Sequence, residues 1–71
     1  MKRYAVGVCP HDEDNEVKIV NAENELTAMV KAVGNEESWG ILKGEIPFKT
    51  VEEGINFYLQ GDLSISKPVA I

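Results

Sequence analysis

Apolar and polar positions alternate at the start of the chain. Tyr4, Val6 and Val8 are separated by small or polar residues across residues 3–9, and this period of two predicts a strand with one apolar face. A second alternating segment, residues 16–22, follows a short polar stretch. Two strands joined by a polar turn predict an antiparallel hairpin.

A helical period follows the second strand. Asn24 is a predicted N-cap, and Gly34 is the predicted left-handed residue at the helix C-terminus. Between them, apolar residues recur at the spacing of one helical face: Leu26, Met29, Val30 and Val33. Residues 36–48 fit both a helical and a strand period, and we favour one or two helical turns there, ended by Gly44.

A second helix begins at the clearest local signal in the chain. Thr50 and Glu53 have the spacing of a capping box, and an apolar stripe continues until Gly61: Val51, Ile55, Tyr58 and Leu59. Gly54 lies inside this helix, where glycine costs about 1 kcal/mol relative to alanine. Close packing of the backbone against another element would explain that glycine.

The last ten residues predict a strand with one apolar face, formed by Leu63, Ile65, Val69 and Ile71. Pro68 cannot donate to a ladder and indicates a sheet edge. The order of elements predicts a single α+β domain over residues 1–71. It consists of an N-terminal β-hairpin and two helices, with a short helix or turn between them, on one face of a three-stranded sheet that the C-terminal strand completes. Whether that strand pairs with the first or the second stays open.

Composition restricts the function classes. The chain has 71 residues, 12 of them acidic and 7 basic, with one Cys, one His and a formal charge of −5. One Cys and one His can neither form an internal disulfide nor fill a structural zinc site, so we expect no cofactor. We expect no direct nucleic-acid binding because no basic stripe is present. Without an apolar run of roughly 18 residues or the apolar core of a signal peptide, we expect a cytoplasmic protein with no membrane partner.

The hairpin turn holds the one cluster of residues with chemical possibilities: Cys9, His11, Asp12, Asp14 and Glu16. A calcium loop would need a glycine and a bidentate glutamate that are missing. A Cys–His catalytic pair would need an orienting third group and an oxyanion hole, and one hairpin offers little cleft for a substrate. We therefore interpret the cluster as a solvated turn and expect no enzyme activity.

The face of the sheet turned away from the helices is a predicted interaction surface. If Val17 and Ile19 point toward the helices, this face is small-featured and weakly apolar, with Ala5, Gly7, Cys9, Val20, Ser64 and Ser66. Its charge would come mainly from Arg3, Lys18 and Glu16. A protein partner or a second copy can pack on such a face or pair with an exposed strand edge.

The candidate contact residues are Ala5, Gly7, Cys9, Lys18 and Val20, the acidic turn residues Asp12, Glu13 and Asp14 at the rim, and Trp39. For Trp39 two interpretations stay open, because a single Trp is either a core plug between helix and sheet or an exposed binding anchor. The leading hypothesis is a non-catalytic protein-interaction module, which can be a homodimer. The alternative is a DNA mimic that inhibits a nucleic-acid-binding protein, although a charge of −5 is low for such a mimic.

The whole-chain pattern resembles small uncharacterised proteins encoded by tailed phages. The resemblance is carried by the opening Tyr4-Ala5-Val6-Gly7-Val8, the acidic turn, Ile19-Val20-Asn21-Ala22 before a helix with Ala28-Met29, and the final strand to Ile71. It implies an accessory protein made during infection, in the host cytoplasm, that binds a host or viral protein. It assigns no functional role to any single residue.

Overall fold

The computed structural model describes residues 1–10, 14–42 and 45–71. Its strands are β1 (Lys2–Pro10), β2 (Glu16–Ala22), β3 (Leu63–Ile65) and β4 (Val69–Ala70), and its helices are α1 (Glu25–Val33) and α2 (Val51–Leu59). The predicted α+β class, with an N-terminal strand pair, two helices and a C-terminal strand in an antiparallel sheet, is confirmed.

β1 is the central strand of the sheet. β2 lies antiparallel on one side of it, in register from Lys2 opposite Ala22 to Val8 opposite Glu16. β3 and β4 both lie antiparallel on the other side, β3 beside the end of β1 and β4 beside its start. The question left open by the sequence is therefore answered, since the C-terminal strand pairs with the first strand.

A bulge divides the C-terminal strand into β3 and β4. Val8 pairs with Ile65 and Ala5 pairs with Val69, so the three residues 66–68 lie opposite only two residues of β1. Pro68 lies within this bulge, outside both short strands. The placement of proline at a sheet edge is confirmed, and its missing N–H costs no ladder bond there.

The bulge reverses the face on which the end of the chain lies. Val69, opposite Ala5, shares the face of that residue and is 58% exposed, and Ile71 is 64% exposed. The prediction that Val69 and Ile71 continue the buried face of Ile65 is therefore wrong. One extra residue in a strand inverts every later side chain, because side chains alternate with a period of two.

The faces of β2 are also opposite to those predicted. Val20 lies opposite Tyr4, which is buried, whereas Ile19 lies opposite Ala5 and Val17 opposite Gly7. Residues directly opposed in a ladder share a face, so Val20 points toward the helices. Val17 and Ile19 point away, with exposures of 71% and 54%.

The core lies between the sheet and the two helices. Its largest fully buried side chains are Tyr58, Met29 and Val6. α1 begins as predicted, because the Asn24 side chain accepts a hydrogen bond of 2.9 Å from the Thr27 N–H. It ends at Val33, and its C-cap Gly34 has φ +71° and ψ −161°. These angles lie outside the left-handed helical region predicted for Gly34, in a region that only glycine occupies easily.

The predicted capping box at the start of α2 is confirmed. Thr50 Oγ1 accepts from the Glu53 N–H at 3.1 Å. The Glu53 carboxylate returns to the Lys49 N–H, at 3.1 Å, one residue before the position that the motif predicts. Helix α2 ends at Leu59, with Gln60 as its C-cap. Gly61 therefore follows the helix end rather than marking it.

Residues 36–41 form a single closed turn rather than a longer helix. The Ile41 N–H donates to Glu36 O at 2.9 Å and the Gly40 N–H donates to Glu37 O at 3.1 Å. These are the two bonds of a Schellman motif, and Gly40 has the positive φ, +72°, that the motif requires. The predicted helical turn is thus present but ends at Gly40, and Gly44 lies outside the described residues.

Candidate functional site: the outer face of the sheet

The sheet face opposite the helices is the candidate site, and we call it the outer face. It is formed by alternate residues of each strand together with one bulge residue: Ala5, Gly7 and Cys9 of β1, Val17 and Ile19 of β2, Ser64 of β3, Ser66 of the bulge and Val69 of β4. Neither helix covers it, because both pack on the other face. Val17, Ile19 and Val69 therefore leave more than half of their surface in water.

The outer face carries almost no charge. Among the strand residues that the structure describes, Arg3 is the single charged residue at an outer position. Glu16 and Lys18 occupy inner positions at the edge of β2, where they form an exposed ion pair of 3.0 Å. The expectation that these two residues supply the charge of the outer face is therefore wrong, and the face is more apolar than the sequence predicted.

A shallow depression lies at the centre of the outer face, over Gly7. Its lining includes Cys9, Val17, Ser64 and Ser66. The depression exists because Gly7 has no side chain, and a Cβ there would lie 3.1 Å from Ser66 Oγ. The same serine accepts a hydrogen bond of 2.7 Å from the Gly7 N–H, which fixes one wall of the depression.

The area of the outer face can be compared with the apolar patches on soluble monomers. Three strands about 4.8 Å apart and seven residues long present a flat area of about 300 Å². This area is comparable with the largest apolar patch on a typical soluble monomer, which is about 300–600 Å² and is often functional.

The structure separates the predicted contact residues into three groups. Ala5, Gly7 and Cys9 lie together on the outer face, as expected. Val20 and Lys18 lie on the inner side of β2, so their assignment to the outer face is wrong. Asp14 is exposed just before β2, whereas Asp12 and Glu13, like His11, lie outside the described residues.

Trp39 is partly buried and packs against the core. Its ring centroid lies 4.8 Å from that of Tyr58, edge to face, and 5.9 Å from that of Phe57. A Cβ on Gly61 would lie 2.5 Å from Trp39 Cη2, so the ring rests directly on the backbone after α2. Of the two interpretations of Trp39, the structure favours the core plug over the exposed anchor.

Three residues of the outer face are not predicted there by the sequence: Val17, Ile19 and Val69. Each is apolar, and each was assigned to the core because apolar residues usually face it. A signal was nevertheless present in β2, where Val20 and Ala22 offer a second apolar face of opposite parity. For Val69 the local pattern held no signal, because the bulge depends on the pairing with β1.

Cys9 is partly buried, and its Sγ lies 3.9 Å from Pro10 O. In residues 1–10, 14–42 and 45–71, no group of three or more His, Cys, Asp or Glu side chains could hold a metal ion. Burial, with a smaller contribution from the nearby Glu36 carboxylate, raises the pKa of Tyr58 to about 12, but this side chain belongs to the core.

Comparison with protein-family models, curated proteins and solved structures gave no match to this chain. Within its described segments, no helix combines the length and apolarity needed to cross a membrane.

Proposed function

We propose that the protein is a non-catalytic protein-interaction module that binds a protein partner through the outer face of its sheet. The observation that carries this proposal is the exposure of Val17, Ile19 and Val69 on a face where Arg3 is the single charged residue among the described strand positions. Water-exposed branched side chains on a flat sheet gain free energy when a partner covers them.

The resemblance to tailed-phage proteins suggests the setting of this binding. In that setting the chain is an accessory protein in the host cytoplasm, and its partner is a host or viral protein. The net charge of −5 disfavours acidic partners and favours a partner whose surface around the contact is basic.

The test compares two variants that place the same charge on side chains of equal exposure. Ile19 on the outer face is 54% exposed, and Leu59 at the end of α2 is 53% exposed. The tagged wild-type protein, Ile19→Glu and Leu59→Glu are each used to capture proteins from a host lysate at low and high salt. Bound proteins are identified by mass spectrometry, and the captured partner is then purified and titrated against all three chains.

We expect a stoichiometric partner that binds the wild type and Leu59→Glu but loses most of its affinity for Ile19→Glu, because a carboxylate buried at the contact lacks a partner. Equal binding by Ile19→Glu would overturn the assignment to the outer face. A partner that binds nucleic acid and is lost at high salt would instead favour the DNA-mimic alternative, because phosphate-like contacts are strongly salt-dependent.

A further inference from the structure

The two edges of the sheet are unequally protected against strand pairing. The edge formed by β3 and β4 is short, bulged and interrupted by Pro68, which are the features that prevent edge-to-edge association. The other edge is β2, with seven residues that run in unbroken register with β1. β2 has no proline and no bulge, so it is the edge available for another strand.

The hydrogen bonds of β1 show which groups of β2 face outward. The Gly7 N–H and C=O both bond to Ser66, and Arg3 O accepts from the Ile71 N–H. Odd-numbered residues of β1 thus bond toward the C-terminal strand, and even-numbered residues bond toward β2. In the register of the pair, the backbone groups of Val17, Ile19 and Asn21 therefore point to the free edge.

One end of the free edge is already occupied. Lys31, in the last turn of α1, donates from Nζ to Asn21 O at 2.7 Å. This contact covers the edge at Asn21 and leaves the N–H and C=O groups of Val17 and Ile19 for an incoming strand. An added strand must therefore centre on the first half of β2.

The charges beside Val17 make this half of β2 complementary to itself. Glu16 and Lys18 flank Val17 and lie on the inner face, where both side chains are half-exposed. When two copies pair antiparallel around a two-fold axis at Val17, Glu16 of each copy lies opposite Lys18 of the other. These are non-hydrogen-bonded pairs, whose side chains are the closest across a ladder. Each of the four charges therefore lies next to a charge of opposite sign.

The neighbouring registers are less favourable. A two-fold axis at Lys18 would place the two Lys18 side chains directly opposite each other, and like charges in that position are destabilising. An axis at Ile19 would need the backbone groups of Asn21, which Lys31 already covers. An axis between two residues would pair an inner with an outer position and is incompatible with a continuous sheet.

We propose that the protein forms a homodimer by antiparallel pairing of β2 with β2 of a second copy, centred on Val17. This inference goes beyond the proposed function, because it uses the edge of β2 rather than the outer face and its partner is a second copy of the chain. Pairing of Val17 with Val17, and of Ile19 with Asn15, would form about six main-chain hydrogen bonds. It would also join the two outer faces into one surface of twice the width.

The experiment measures the oligomeric state by sedimentation equilibrium for a set of charge variants. Glu16→Lys alone places Lys opposite Lys, and Lys18→Glu alone places Glu opposite Glu. The double variant with both changes restores opposite charges, and so does an equal mixture of the two single variants. Glu37→Lys, in the exposed turn before Trp39, is the matched control because it changes the net charge by the same amount as Glu16→Lys.

We expect the wild type, the Glu37→Lys control and the double variant to dimerise with similar affinity. Each single variant should dimerise at least about tenfold more weakly than the wild type. An equal mixture of the two single variants should form the heterodimer. Val17→Pro, which removes an outward N–H but no bond to β1, should be a folded monomer. A folded Val17→Pro that still dimerises would overturn the proposal.

The proposal is also overturned by a wild type that stays monomeric up to about 1 mM, or by single variants that dimerise as tightly as the wild type. Neither result affects the proposed function, since binding of the partner protein is measured separately with Ile19→Glu. Loss of partner binding in Ile19→Glu with a normal dimer would likewise separate the outer face from the edge.

Discussion

Gly54 is required by close contacts with the side chains of neighbouring elements. A Cβ on Gly54 would lie 2.7 Å from Met29 Cε and 2.9 Å from the Phe48 ring, so α2 approaches its neighbours more closely than alanine would allow. Gly54 costs some helix stability, but it allows α2 to settle on the core. The predicted close approach at Gly54 is confirmed, and its partners could be named only from the structure.

Tyr58 is the residue whose chemistry is most altered by folding. Its side chain is fully buried, and in the part of the chain that the structure describes its hydroxyl has no hydrogen-bond partner. Burial first, and the Glu36 carboxylate second, raise the pKa of Tyr58 from 10.0 to about 12. The folded state therefore holds the phenolic proton more tightly than the unfolded chain does.

This pKa shift predicts a loss of stability at alkaline pH. Below pH 10 the Tyr58 hydroxyl is protonated in both the folded and the unfolded state, and its contribution to the free energy of unfolding is fully present. Between pH 10 and 12 the unfolded chain loses the proton first, so about 2–3 kcal/mol of stability disappears. Urea unfolding of the wild type and Tyr58→Phe at pH 9 and pH 11.5 should show a smaller alkaline loss for the variant.

The comparison with Tyr58→Phe isolates the effect of Tyr58, because every other residue is common to both chains. At pH 7 the variant should be as stable as the wild type or more stable by about 1 kcal/mol, since a buried hydroxyl without a partner is removed. An alkaline loss of equal size in both proteins would show that Tyr58 does not cause it.

At the scale of single elements, the start of α2 is determined locally. Thr50, Glu53 and Lys49 are within four residues of one another and satisfy each other's groups. The Asn24 cap is local in the same way. Both caps are predictable because the hydrogen bonds that form them involve neighbours in the sequence. The alternation of β1 can be read from one segment, but the strand is stabilised by its pairing with β2, β3 and β4.

The capping box predicts a measurable contribution to stability. Thr50→Ala removes the acceptor for the Glu53 N–H and should lower the free energy of unfolding by about 1 kcal/mol. Thr50→Ser keeps the hydroxyl and should lie close to the wild type. Urea unfolding with an unchanged slope and a shifted midpoint would report the difference, whereas equal midpoints for the alanine and serine variants would contradict it.

For the whole molecule, the decisive feature is the difference between the two faces of one small sheet. The inner face of β2 contributes Val20 and Ala22 to the core, and the outer face presents Val17 and Ile19 to water. Both sets are apolar, so the hydrophobic pattern of β2 is compatible with either orientation. The proposed function depends on this choice, because only one orientation leaves a broad apolar surface exposed.

The two orientations predict opposite effects of the same substitution at adjacent positions. Val20→Glu places a carboxylate against the core and should destabilise the fold by about 2 kcal/mol or more, a large part of the stability of a domain this small. Ile19→Glu should change stability by less than about 0.5 kcal/mol. Thermal unfolding of both variants at pH 7 gives the comparison, and a more severe effect at Ile19 would contradict the observed register.

The sequence by itself determined the α+β class, the order of the elements, both helix N-caps and the close approach at Gly54. The class, the element order and the caps depend on residues close together in the chain or on the period of a single segment. At Gly54 the sequence indicated a close approach but not its partners, which include Met29. Only the tertiary structure decided which face of β2 is buried, where the C-terminal strand bulges, and that Trp39 rests on Gly61.

The physical reason is that a strand has two faces and no local preference between them when both are apolar. The register with β1 makes the choice for β2. For β4, the bulge decides which face is exposed. The hydrogen bond between Gly7 and Ser66, which are 59 residues apart, lies at that bulge. The candidate site therefore depends on two long-range interactions, the register of β2 with β1 and the bulge before β4. The sequence indicated Ala5, Gly7 and Cys9 but not the apolar residues beside them.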